Sequence, residues 1–207
     1  MIHEIDEALR SLISAEMLSG ADVSMVFDAP TRDWAARRSG PVIDLYLYDI
    51  REDLKRRERG LVNEYDDRGI VVARRLPPRY FALSYLVSAW TQRPEDEHRL
   101  LSTLLTGFLR HESLPSELLS GLIAESQLPV PMSIALPPPE DRAFSDVWSA
   151  LGGELKPSLD LVVSVPLIPA RAFEAGPPSE SGLRATVGDM AGEFTDAPVQ
   201  TKRGNRD

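Results

Sequence analysis

Apolar residues at Ile2, Ile5, Leu9, Leu12, Ile13 and Met17 recur at steps of three and four, and Gly20 follows them. That spacing lines one face of a helix and supplies a glycine stop, so a helix is expected over 2–17. Residues 23–27, VSMVF, read as a short strand. The polar stretch after them, DAPTRDWAARRSGP, reads as a loop whose Trp34 folds back onto the core. The period then changes to two. Over 42–50, Ile43, Leu45 and Leu47 alternate with Asp44, Tyr46 and Tyr48, the pattern of a strand. Beyond a charged segment at 51–59, Asp66, Asp67 and Gly69 sit between two β-prone runs, which predicts a hairpin closed off by Pro77 and Pro78.

Residues 80–90, YFALSYLVSAW, break the alternation. Extended, the segment carries Phe81, Leu83, Tyr85, Val87 and Ala89 on one side and Tyr80, Ala82, Ser84, Leu86, Ser88 and Trp90 on the other. Both sides are mainly apolar and rich in β-prone residues, which suits a central strand covered on both faces. A buried helix is the other reading of so short a run. It is too short to span a membrane, which takes about 20 apolar residues. Pro94, with Glu95, Asp96 and Glu97 behind it, opens a helix whose macrodipole favours acids in the first turn. Leu100, Leu101, Leu104, Leu105, Phe108 and Leu109 form its apolar stripe.

Further on, PSELLSGLI suggests a short helix and residues 128–136 a proline-marked edge strand. Phe144, Val147, Trp148 and Leu151 fit a helix stopped by Gly152 and Gly153. Leu159, Leu161, Val163, Val165 and Leu167 then alternate in a last strand. From about residue 170 the period dissolves, leaving too little apolar surface to offset the entropy of ordering. The expected organisation is one domain over 1–169 and a flexible tail over 170–207.

Composition narrows the chemistry. A net charge of −9 argues against wholesale binding to nucleic acid or anionic lipid. The absence of cysteine removes disulfides, thiolate zinc sites, iron–sulfur clusters and a cysteine nucleophile together. The opening MIHEIDEALR has no apolar core of a signal peptide, so a soluble chain made in the cytoplasm is expected. His3, His98 and His111 form no metal spacing, and EDEH at 95–98 reads as helix-start acids beside a solvated histidine. There is no GxSxG elbow and no phosphate loop. Ser84 and Ser88 lie mid-strand as small packing residues, and the pairs Asp66/Asp67 and Glu140/Asp141 sit where turns and helix starts favour acids. No catalytic, cofactor or metal residue is therefore assigned, and a serine or carboxylate hydrolase is the competing class.

Charge distribution is more informative. Between Arg51 and Arg79, nine Arg or Lys face six acids, an excess of three that leaves −12 on the remainder. Arg51, Lys55, Arg56, Arg57, Arg59, Arg74, Arg75 and Arg79 are the candidate protein-docking residues, because complementary charge sets register and association rate. A merely solvated charged hairpin explains the same residues.

Three stretches then read as a set: LYLYDIRED with the arginines after it, RRLPPRYFALSYLVSAWTQRPEDEHRLLSTLL, and DVWSALGGELKPSLDLVVSVPL. Together they resemble the N-terminal domain of the cap, or tail-terminator, proteins of extracellular contractile injection systems, the phage-tail-like particles. The resemblance runs over about residues 2–168. It implies a non-enzymatic α+β domain, a mixed β-sheet with flanking helices. It further implies a hexameric ring that caps the distal end of the inner tube and sheath, ends polymerisation and anchors the sheath. The implied partners are further copies of the chain and the inner-tube and sheath proteins. The alternative is a tail-completion, baseplate-adaptor or assembly protein of the same particle, and release of that particle from the cell is left open. An unpaired edge of such a sheet can also accept a strand from a neighbour.

Overall fold

The helix expected at the start of the chain forms as α1 (Ile2–Leu12), and its last turn, Ile13–Met17, relaxes to π-helical geometry. Gly20 then turns the chain at a φ of +80°, a conformation glycine adopts without steric cost. The computed structural model describes residues 1–137, 143–170, 172–174, 187–188 and 194–195. β1 (Ser24–Val26) follows α1. The stretch expected to be loop contains a short helix, α2 (Arg32–Ala36), started by the Thr31 hydroxyl, which accepts from the Trp34 backbone N–H at 3.3 Å. Five residues give too little periodicity to announce a helix, but the Thr31 cap with Asp33 in the first turn is a local start signal.

Next come β2 (Val42–Glu52), β3 (Val62–Tyr65), β4 (Val71–Arg75) and β5 (Arg79–Trp90). They are followed by α3 (Pro94–Phe108), α4 (Gly121–Ser126), β6 (Met132–Ile134), α5 (Phe144–Ala150) and β7 (Ser158–Leu167). The fold is α+β, as expected. Five strands form one mixed sheet in the order β1-β2-β5-β7-β6, with β1 parallel to β2 and every other pair antiparallel. β5 lies at its centre.

One face of this sheet is apolar. Ile43, Leu45, Leu83, Tyr85, Val87, Leu161, Val163 and Val165 meet Ile5, Leu9, Leu12 and Ile13 of the first helix and Leu104 and Phe108 of α3 in a single core. Fully burying each such side chain contributes about 1.5–3 kcal/mol, which is why the two helices lie on this face. Tyr85 is fully buried yet keeps its hydroxyl satisfied by donating to Asp6 Oδ1 at 2.7 Å. β2 lies inside the sheet order, but β1 pairs with it only at Val42, Ile43 and Asp44, so beyond Asp44 no described strand lies along its outer edge. At the β6 edge, Ser113 bridges Pro131 and the Met132 N–H donates to the Glu112 carbonyl at 3.0 Å.

The other face divides along its length. At one end Trp34, Trp90 and Trp148 pack together, with ring centroids 5.3 and 6.2 Å apart. At the other end a β-bulge between Leu47 and Asp49 marks the start of a polar cleft. Here Tyr48 donates to Asp160 Oδ1 at 2.9 Å, and the Ser164 hydroxyl lies 3.3 Å from Asp53 Oδ2.

A second unit holds the hairpin of β3 and β4, to which β8 (Ala172–Glu174) adds an antiparallel third strand. Its turn is fixed by Asp66, whose Oδ1 accepts from the Arg68 and Ile70 backbone N–H groups at 2.9 and 2.8 Å, with Gly69 at positive φ. Val62, Tyr65 and Val72 are exposed. The segment read as a flexible tail thus contributes Ala172–Glu174 to a sheet, and the backbones of β9 (Val187–Gly188) and β10 (Phe194–Thr195) pair with each other. Most of 170–207 lies outside the described residues.

Candidate functional site

The eight predicted docking residues fall into two groups. Arg51, Lys55, Arg56, Arg57, Arg59 and Arg79 belong to the five-stranded unit, whereas Arg74 and Arg75 stand on the hairpin. Most are already engaged. Arg51 Nε lies 3.1 Å from Asp49 Oδ2, Arg56 Nε 3.4 Å from Asp53 Oδ2, and Arg57 Nε 3.6 Å from Glu52 Oε1. Arg79 holds Glu52 with two parallel hydrogen bonds of 2.9 and 3.0 Å, the fork geometry that makes arginine the better carboxylate partner. Arg75 pairs with Glu64 within the hairpin. Among the described residues Lys55, Arg59 and Arg74 make no ion pair and are exposed.

Beside these pairs lies a cleft of about 510 Å³ on the bare sheet face, with Ala82, Ser84, Ser133, Val162 and Ser164 as its floor. Its acids, Asp49, Glu52, Asp53 and Asp160, each carry a cation or hydroxyl partner. Among the described residues no group of three or more His, Asp and Glu is arranged to hold a metal ion. The acids of EDEH are used structurally: Asp96 pairs with Arg99 at 3.0 Å, and Glu97 pairs with Lys156 while accepting from the Thr91 N–H at 3.0 Å. Ser88 accepts from the Trp90 indole N–H at 2.9 Å.

The tryptophan end was not legible as a site in the sequence. It gathers side chains from four separate stretches of chain. Trp34 Nε1 and Arg38 Nη2 both donate to Asp28 Oδ2, at 2.8 and 2.9 Å, and the Arg38 guanidinium lies 3.9 Å from the Trp34 ring centre. The Lys156 ammonium stands 4.7 Å from the centre of the Trp90 ring. Cation–π contacts of this kind add roughly 0.5–2 kcal/mol each. Two clefts adjoin at Trp90: one of about 640 Å³, rimmed by Arg38, Arg93 and Arg99, and one of about 330 Å³, rimmed by Arg32 and Lys156.

Asp44 on β2 has no exposed surface, and neither carboxylate oxygen has a well-formed hydrogen bond among the described residues. Burial, then the nearby Asp28 carboxylate, push its pKa up to about 8; the Asp28 backbone N–H and Arg38 offset only part of this. Burial likewise raises Asp6, opposed by the Tyr85 hydroxyl and Arg10. The Trp148 indole N–H is also buried, without an acceptor among the described residues.

The fold of this chain is similar to that of tube terminators of contractile particles. The sheath/tube terminator of PVC, an extracellular contractile injection system, in its extended state, matches with a TM-score of 0.63 and 21% identity, over 92% of this chain and 64% of that one. The anti-feeding prophage cap, the AFP tube-terminating cap, matches with a TM-score of 0.54 and 22% identity, over 88% of this chain and 60% of that one. Residues 4–181 match the Pvc16 N-terminal domain, and the chain belongs to that family. It spans about three fifths of the length of these two structural relatives. No curated protein matches it. Among the described residues no helix is long and apolar enough to cross a membrane.

Proposed function

We propose that the chain is a non-enzymatic terminator of a contractile injection system. Six copies close into a ring on the distal end of the inner tube and sheath, end polymerisation there and anchor the sheath. The observation that carries this reading is the likeness of 92% of the chain to a sheath/tube terminator, together with family membership over 4–181. The physical logic agrees. A heterologous contact repeated around a closed ring satisfies every subunit and leaves nothing to propagate, which is the property termination requires. The charged groups around Glu52, and the exposed Lys55 and Arg59, serve as a docking surface for tube or sheath, where rim charges set orientation and association rate. Assembly takes place in the cytoplasm, as part of a particle that acts outside the cell.

The test is location. Particles carrying an epitope-tagged chain should bind antibody-gold at one end only, opposite the baseplate. Label at the baseplate would instead assign an adaptor role, and label along the whole length would contradict termination.

A further inference from the structure

The groove around Trp90 has the makings of an interface. It joins two clefts, of about 640 and 330 Å³, at a half-buried tryptophan. Leu155 on its lining is 68% exposed. Arg32 and Arg93 are exposed and make no ion pair among the described residues, against one lining acid likewise unpaired, Glu154. Arg38 and Lys156 are held both by Asp28 and Glu97 and over indole rings, which restrains their guanidinium and ammonium groups, whereas Arg99, paired with Asp96, is largely exposed. Tryptophan and arginine held rigidly beside an apolar hollow are the residue types that dominate binding energy at protein interfaces.

The same unit carries a surface of the opposite character. α1, the end of α3 and the α4 segment lie together: His111 Nε2 is 3.0 Å from Glu16 Oε2, and Glu4 sits against Gly121. Glu7, Glu112, Glu117 and Glu125 are exposed there, with Arg10 and Arg110 as the nearby cations. Leu122, one helical turn from Glu125, is 68% exposed. An exposed leucine flanked by carboxylates complements an apolar hollow rimmed by arginines in both respects.

We propose that the Trp90 groove receives the acidic Leu122-bearing face of a second copy of this chain, and that this heterologous contact is the joint of the ring. The inference rests on the ring reading above. Two different patches on one molecule, each meeting the other on the next copy, generate a ring when the rotation between copies closes and a filament when it does not, whereas a self-complementary patch would stop at a dimer.

Two double variants test it, with assembly of the full chain read by native mass spectrometry and light scattering. Arg32→Glu with Arg93→Glu makes the groove acidic, and Glu117→Lys with Glu125→Lys makes the opposing face basic. All four side chains are exposed and outside the core, and circular dichroism melts check that each variant folds. Each variant alone should lose the ring, since like charges then meet. An equimolar mixture should regain it with strictly alternating copies, because every joint again pairs opposite charges. Raising the salt should weaken the wild-type ring as well.

A groove variant that assembles like the wild type overturns the proposal. Rings that persist while the variant no longer sits on particle ends would assign the groove to a tube or sheath partner and overturn it equally. A wild-type chain that stays monomeric both free and on particle ends removes the ring reading itself. That outcome is distinct, because it appears before any variant is compared.

Discussion

Two regions of the five-stranded unit are rich in cations, and they differ in what those cations do. Near Glu52 and Asp53 the guanidinium groups of Arg56, Arg57 and Arg79 end on carboxylates supplied within the same stretch of sequence or the adjoining strand. Around Trp90, Arg38 and Lys156 are also paired, with Asp28 and Glu97, but they lie over indole rings as well. Each region keeps two exposed cations without an ion pair among the described residues, Lys55 and Arg59 in the first and Arg32 and Arg93 in the second. The first region is conspicuous in the sequence because its arginines are close together. The second is assembled from residues more than 120 positions apart. Charge density along a chain reports cations that are close in sequence and not what they meet in the fold, so it finds the first region and overlooks the second.

The contrast extends to the acids. Glu52 and Asp53 are partly buried and paired, whereas Asp44 is fully buried without a well-formed partner among the described residues. Its folded pKa, pushed up to about 8, lies above the ordinary carboxylate value of 3.8. The folded state therefore retains a proton that the unfolded chain gives up. Relative stability is full below pH ~4 and falls as pH rises through the folded value, by roughly 6 kcal/mol at most. Asp44→Asn should accordingly be more stable than the wild type at pH 8, with the two denaturation curves converging near pH 4. A difference between them that does not change with pH would mean that Asp44 finds a partner in solution.

If the tryptophan end is a packed platform, Trp148→Ala should cost about 3–5 kcal/mol in urea denaturation, since Trp148 is 1% exposed. A loss below about 1 kcal/mol would mark a loose cluster rather than a rigid one. Lys156→Met keeps the stem over Trp90 but strands Glu97, and a loss of about 1–3 kcal/mol is expected for this partly buried pair. The smallest effect on stability belongs to the arginine-rich segment. Reversing Arg56, Arg57 and Arg59 together to Glu should change stability by about 1 kcal/mol or less, because the pairs involved are exposed, while weakening attachment to particle ends. Normal attachment by this triple variant would remove the segment from the docking surface.

Much of the fold was legible because local periodicity reports directly on burial. The step of three and four in Ile5, Leu9 and Leu12, the two-residue step in Ile43 and Leu45, and the two-sided apolar run ending at Trp90 each follow from which faces are covered. α2 was missed because its stability comes from the Thr31 cap and from Trp34 packing on Trp90, neither of which is periodic. For the candidate docking residues the sequence shows which are cations but not which acids they pair with. Whether Arg79 is free depends on Glu52, 27 residues earlier on the neighbouring strand. The three tryptophans lie within or near the motifs that carry the family resemblance, yet only the sheet register brings Trp90 to the others.

The central claim is termination, and particle length tests it most directly. Negative-stain electron microscopy of particles from producing cells with and without this chain should show a narrow length distribution in its presence. In its absence, particles should be overlong, variable in length and incompletely sheathed. Particles of unchanged, uniform length without the chain would contradict the account, leaving the fold in place and the function elsewhere.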